Sequence, residues 1–211
     1  MTKIGIKKTF NLHKYRTQIQ DILSEWKIII TISVSVLGLI AGAYYGKGEE
    51  GLYLKFTALI SEYIVQAEPT QIYVNFITCL VIPTTFFVAL FFCGLSAYGG
   101  VISYAVPFVY SMTIGTITYF LYSEYKLKGL AFFVIIILPY AALSLLGIIL
   151  MTVESVNMSQ KVLNTLNDKT KRSNYNFTFY YKNGLKSYLI IILSAILKTV
   201  LDKLFISIFS F

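Results

Sequence analysis

Charge is what this chain has least of. Aspartate, glutamate, lysine and arginine make up 13% of its 211 residues while 56% are hydrophobic, a balance that no single water-soluble core could absorb. Histidine occurs once, at His13, and cysteine twice, at Cys79 and Cys93, which removes the Cys/His clusters that hold zinc or haem. The two cysteines lie on one apolar run, about 21 Å apart at helical rise, too far to bridge each other. The sequence also has no Ser/His/Asp set, Cys/His pair, metal-binding helix motif, glycine-rich phosphate loop or pair of carboxylates within an apolar run. The expectation is a non-enzyme with no catalytic, cofactor-binding or metal-binding residues.

The apolar residues are gathered into runs at 28–45, 74–92, 101–122, 130–152 and 187–208, each long enough to cross a bilayer as a helix or nearly so. The fold class expected is therefore an all-α, polytopic integral membrane protein of about five transmembrane helices. The net charge of +8 does not point to nucleic acid, because the lysines and arginines are confined to short segments flanking apolar runs.

Residues 1–27 form a basic segment with Ile19, Ile22, Leu23 and Trp26 at helical spacing, read as an amphipathic helix lying under the membrane. Ala41-Gly42-Ala43 resembles a signal-peptidase site, but the length of charged chain before it favours an uncleaved first span. The polar excursion at 47–72 carries Leu52, Phe56, Leu59, Ile60 and Tyr63 at helical spacing and is expected on the outer surface. Residues 153–186 form a basic cytoplasmic loop that begins as a helix. Six basic residues precede the first run, two follow it, two lie between the third and fourth, and five lie from Lys161 to Lys182. That distribution is expected for a chain with its N-terminus inside.

Two patterns recur within the runs. Gly38, Gly42 and Gly46 are spaced by four, as are Ser111 and Gly115, giving small-residue faces on which another helix backbone can approach; glycine is also simply common in membrane helices. Pro83, Pro107 and Pro139 place one proline in each of three consecutive runs, expected as kinks, with Thr78, Thr84 and Thr85 near enough to serve carbonyls freed by Pro83. The last run is interrupted by Lys198, Asp202 and Lys203. It reads as a tilted span with Lys198 reaching outward to headgroups, or as an interfacial helix. Trp26, Leu163 and Leu166 offer apolar stripes for cytoplasmic docking or for resting on lipid.

The Gly38-to-Gly46 exit of the first run, the polar outer segment, the Gly94-to-Gly100 turn, Gly115, Lys128-Gly129 and Leu138-Pro139 together resemble the stage II sporulation protein M family, over an architecture covering roughly residues 26–211. The resemblance implies a non-catalytic multi-span subunit that anchors and assembles a membrane complex with other membrane or surface proteins, or with a second copy of itself. Members that accompany circular bacteriocins imply the alternative: a component of peptide maturation, export or immunity working with a separate ATP-binding subunit.

Overall fold

A chain in lipid must satisfy its backbone hydrogen bonds within each segment, which an uninterrupted apolar helix does. The computed structural model describes residues 26–47, 72–167 and 177–205, and among these the regular structure is helical throughout. Helix α1 covers Trp26–Tyr45. It is followed by α2 (Ile72–Leu95), a single turn α3 (Gly99–Ile102), α4 (Ala105–Phe132), a π-helical turn at Phe133–Ile137, α5 (Leu138–Asn167) and α6 (Phe177–Phe205). The amphipathic segment before Trp26, most of the 47–72 excursion and the basic stretch around Lys171 lie outside the described residues.

Four helical stretches are long and apolar enough to cross a membrane, at Trp26–Tyr45, Phe76–Leu95, Gly99–Leu166 and Phe177–Leu204. The third holds 68 residues, which as a straight helix would measure about 100 Å, some three times the hydrocarbon thickness of a bilayer. It does not run straight. Lys126 takes φ 49° and ψ −126°, and is the one non-glycine residue with positive φ among those described. Beyond it the chain doubles back: a Cβ on Gly129 would run into the carbonyl of Leu121, which only a reversal brings near. The expected loop between the third and fourth runs is thus a sharp break. The 153–186 segment is mostly helix, because α5 extends to Asn167 and α6 starts at Phe177, before the expected 187.

Helix α5 is central, packing on α2, α3, α4 and α6. Ala141, Ser144, Ile148, Met151, Ser155 and Met158 recur at helical spacing and are buried, while Leu146 and Leu150 on the other side are exposed. The core joins them to Leu90 of α2, Tyr110, Ile114 and Leu121 of α4, and Tyr180 and Ile191 of α6. Lipid tails are as apolar as leucine, so hydrophobicity does not draw such helices together. Close packing and interhelical hydrogen bonds do.

Those bonds concentrate where α2 turns into α4. Ser155 Oγ donates to the Leu90 carbonyl at 2.9 Å and shares a 2.7 Å bond with Ser103. Ser159 Oγ donates to the Ala97 carbonyl at 3.1 Å and accepts from the Gly100 N–H at 2.8 Å, while the Tyr180 hydroxyl donates to the Phe91 carbonyl at 3.0 Å. The Ala97 carbonyl and Gly100 N–H of the turn, and two carbonyls near the end of α2, are thereby served by side chains of α5 and α6. Each such bond contributes on the order of 0.6–1 kcal/mol in a membrane.

Candidate functional site: a charge pair inside the bundle

The buried face of α6 includes Ser187, Ile191, Ser194, Ala195, Lys198 and Asp202, while Leu189, Leu193, Ile196, Val200 and Leu204 face outward. Lys198 and Asp202 therefore point into the bundle, 9% and 6% exposed. This corrects the expectation that Lys198 reaches outward: a lysine can snorkel only from a lipid-facing position, and Lys198 shares the helical face of Ile191 and Ala195. The Lys198 Nζ donates to Asp202 Oδ2 at 3.3 Å and to Cys79 Sγ of α2 at 3.2 Å. It also stands 5.8 Å from the centre of the Tyr140 ring of α5, within the range of a cation–π interaction.

Tyr140 links this pair to the proline of α2. Its hydroxyl donates to the Cys79 carbonyl at 3.2 Å, the carbonyl that residue 83 would serve if it had an N–H, and proline has none. The acceptor freed by Pro83 is thus taken by a tyrosine from a neighbouring helix, where the nearby threonines were expected to help. Thr85 Oγ1 donates instead to the Val81 carbonyl at 2.9 Å, and Thr84 Oγ1 is buried without a hydrogen-bond partner. Further in, Tyr110 of α4 shares a hydrogen bond with Ser144 of α5 and meets Phe86 edge to face. Ammonium, carboxylate, thiol and phenols from α2, α4, α5 and α6 so converge in an apolar bundle. An ionisable pair buried inside such a bundle is a functional candidate.

The small residues meet one another. A Cβ on Gly38 would strike the Phe108 carbonyl and lie 3.1 Å from Ser111 Cβ, one on Gly42 would strike the Met112 carbonyl, and one on Gly115 would strike the Leu39 carbonyl and stand 3.0 Å from the Ala43 nitrogen. Thr116 Oγ1 adds a 3.3 Å hydrogen bond to the Gly42 carbonyl. Gly46, at the end of α1, lies against the Tyr119 ring. The two faces pack α1 on α4 within the chain, so these residues are not free to receive a partner helix. Ser111 Oγ at this seam is buried without a hydrogen-bond partner.

The prolines sit unequally. Pro83 lies inside α2, whereas Pro107 falls in the first turn of α4, a position where a missing N–H costs little. Pro139 is the second residue of α5, directly after the π-helical turn whose end is closed by the Leu138 N–H on the Phe133 carbonyl. Trp26 and Leu166 are exposed and Leu163 half-buried, so the stripes remain open at one end of the bundle. No three metal-ligating side chains come together among the described residues.

Sequence reasoning passed over Asp202, Cys79, Tyr140 and Tyr110. The available signal was spacing: Lys198 and Asp202 are four apart and in register with Ser187, Ser194 and Ala195, small residues that mark a packing face. In comparisons with known proteins, the chain matches no family model, no curated protein and no solved structure.

Proposed function

We propose that the chain is a non-enzymatic, multi-pass subunit of the bacterial cytoplasmic membrane that anchors and assembles a membrane complex, as its resemblance to stage II sporulation protein M implies. The reading has five spans with the N-terminus inside. The break at Lys126 supports counting Gly99–Leu166 as two crossings, and the distribution of basic residues supports the orientation. The observation that carries the assembly role is the bracing of the bundle. Ser155, Ser159, Tyr180 and Tyr140 all serve carbonyls of a neighbouring helix or its turn, which fixes one helix arrangement. The outward surface at membrane depth stays apolar, with Leu37, Ile40, Phe92, Leu189 and Leu193 exposed. A braced body with an apolar belt suits an anchor.

A second reading is favoured by one feature. The Lys198–Asp202 pair is the kind of group that marks pathways through membranes, and it supports a component of peptide maturation, export or immunity working with a separate ATP-binding subunit. Purification of the tagged protein from its native membrane, beside a Leu163→Ser/Leu166→Ser variant, tests both. The assembly role expects membrane or surface partners that both forms retain; an ATP-binding protein lost selectively from the variant establishes the second reading instead. Single cysteines at Lys55 and Lys171, in a background lacking Cys79 and Cys93, test the orientation with an impermeant reagent. Labelling of Lys171 but not Lys55 in intact cells overturns it.

A further inference from the structure

The Ala41-Gly42-Ala43 sequence near the end of α1 carries a chemistry that the folded bundle conceals. It follows an apolar stretch, Ile28 to Ile40, of the length of a signal-peptide core, which is itself preceded by a basic segment. Small residues at its first and third positions are what a signal peptidase selects, and the bond to be cut is then Ala43–Tyr44. Tyr44 and Tyr45, 74% and 67% exposed, put that bond at headgroup level, where the tyrosines of membrane helices gather. A signal peptidase works at the membrane surface and takes its substrate as an extended strand.

In the bundle that strand cannot form. The segment is helical as far as Tyr45, with the Gly46 N–H donating to the Gly42 carbonyl at 3.0 Å. Thr116 Oγ1 of α4 donates to the same carbonyl at 3.3 Å, and a Cβ on Gly115 would stand 3.0 Å from the Ala43 nitrogen. Extending residues 41–43 would drive their backbone out of the seam with α4. Away from α4 the same residues unwind readily: a glycine inside a helix costs about 1 kcal/mol relative to alanine, and Gly42 lies in the last turn, where helices fray.

We propose that Ala41-Gly42-Ala43 is a conditional signal-peptidase site, masked by α4 and cut only in chains whose α4 has not docked. Hydrolysis adds the hydroxyl of water to the Ala43 carbonyl carbon and its remaining hydrogen to the Tyr44 nitrogen, so that residues 1–43 leave with most of α1. The first span stays whole in the packed chain and is lost from the misassembled one. The proposal rests on the orientation given above, with the N-terminus inside, which puts the end of α1 on the outer side where the peptidase works.

The test is expression of the full chain with a C-terminal tag, followed by sequencing of the N-terminus of the tagged product. Wild type should begin ahead of α1. Gly115→Leu, which forces α4 off the Leu39 carbonyl and leaves residues 41–43 untouched, should yield a product that has lost residues 1–43 and begins at Tyr44. Gly115→Ala, a smaller wedge in the same seam, should yield a smaller share of it and preserves the readout where Gly115→Leu is degraded outright. Adding Ala43→Leu, on the exposed side of α1, should remove the product from both. A wild type that already begins at Tyr44 overturns the mask. Gly115 variants that never yield a Tyr44 terminus, or that yield it equally with Ala43→Leu, overturn the site, and labelling of the Lys55 cysteine in the same cells then shows whether the orientation falls with it.

Discussion

The Lys198 ammonium and the Asp202 carboxylate face each other at 3.3 Å, one turn apart on α6 and turned away from lipid. A buried pair of this kind is costly to break and cheap to replace whole, since removing one partner strands the other charge in an apolar medium. Lys198→Met and Asp202→Asn should each destabilise the bundle by on the order of 3 kcal/mol, while Lys198→Met/Asp202→Leu should come close to wild type. Denaturation of the three variants in mixed detergent measures this. If the double variant is as weak as the singles, the pair does something that neutral side chains of similar size cannot.

Tyr140 and Pro83 should behave as coupled residues. Tyr140→Phe removes the donor from the Cys79 carbonyl and should cost about 1 kcal/mol. In a Pro83→Ala background the restored N–H of residue 83 can serve that carbonyl, and the same substitution should then cost almost nothing. A double-mutant cycle gives the coupling energy directly; a cycle that closes at zero would mean that the carbonyl was not what Tyr140 served.

At the seam of α1 and α4 the backbones approach too closely for a side chain on Gly42 or Gly115. Gly42→Leu should leave membrane insertion intact yet part the two helices. Paired cysteines at Leu39 and Met112, in a background lacking Cys79 and Cys93, report the separation as a loss of disulfide formation. Undiminished cross-linking would contradict a tight seam.

Lys126 holds a backbone conformation that L side chains rarely adopt, a strain of about 1–3 kcal/mol. Glycine carries no such penalty. Lys126→Gly should therefore raise stability by about 1 kcal/mol after its own entropy in the unfolded chain is counted. The thermal midpoint in detergent checks the sign; a fall would show that the lysine side chain contributes more than its backbone costs.

The helical character and the small-residue faces were legible because both depend on local pattern, apolar runs and glycines four apart. Which helix those faces would meet was not, since Gly38 and Phe108 come together only through tertiary packing. Lys198 misled for a related reason. A lysine near the end of an apolar run reads the same whether its helix face looks to lipid or to protein, and only the register with Ile191 and Ala195 decides. The partner of the carbonyl freed by Pro83 lies on Tyr140, on another helix, where no spacing rule reaches. The break at Lys126 was foreshadowed by the charges around it, but its sharpness follows from the contact of Gly129 with the Leu121 backbone.

The meeting of Gly38 and Gly42 with the backbone around Phe108 and Met112 also sets an order of events during synthesis. About 70 residues separate the two sides of that seam, and a ribosome adding 5–20 residues per second takes roughly 4–14 s to supply the second after the first. Throughout that interval the glycine groove of α1 has no native helix against it. The nascent chain depends for those seconds on lipid, or on an insertase holding α1 beside the translocon, and a mutation that slows the arrival of α4 lengthens the wait without altering a single contact in the finished protein.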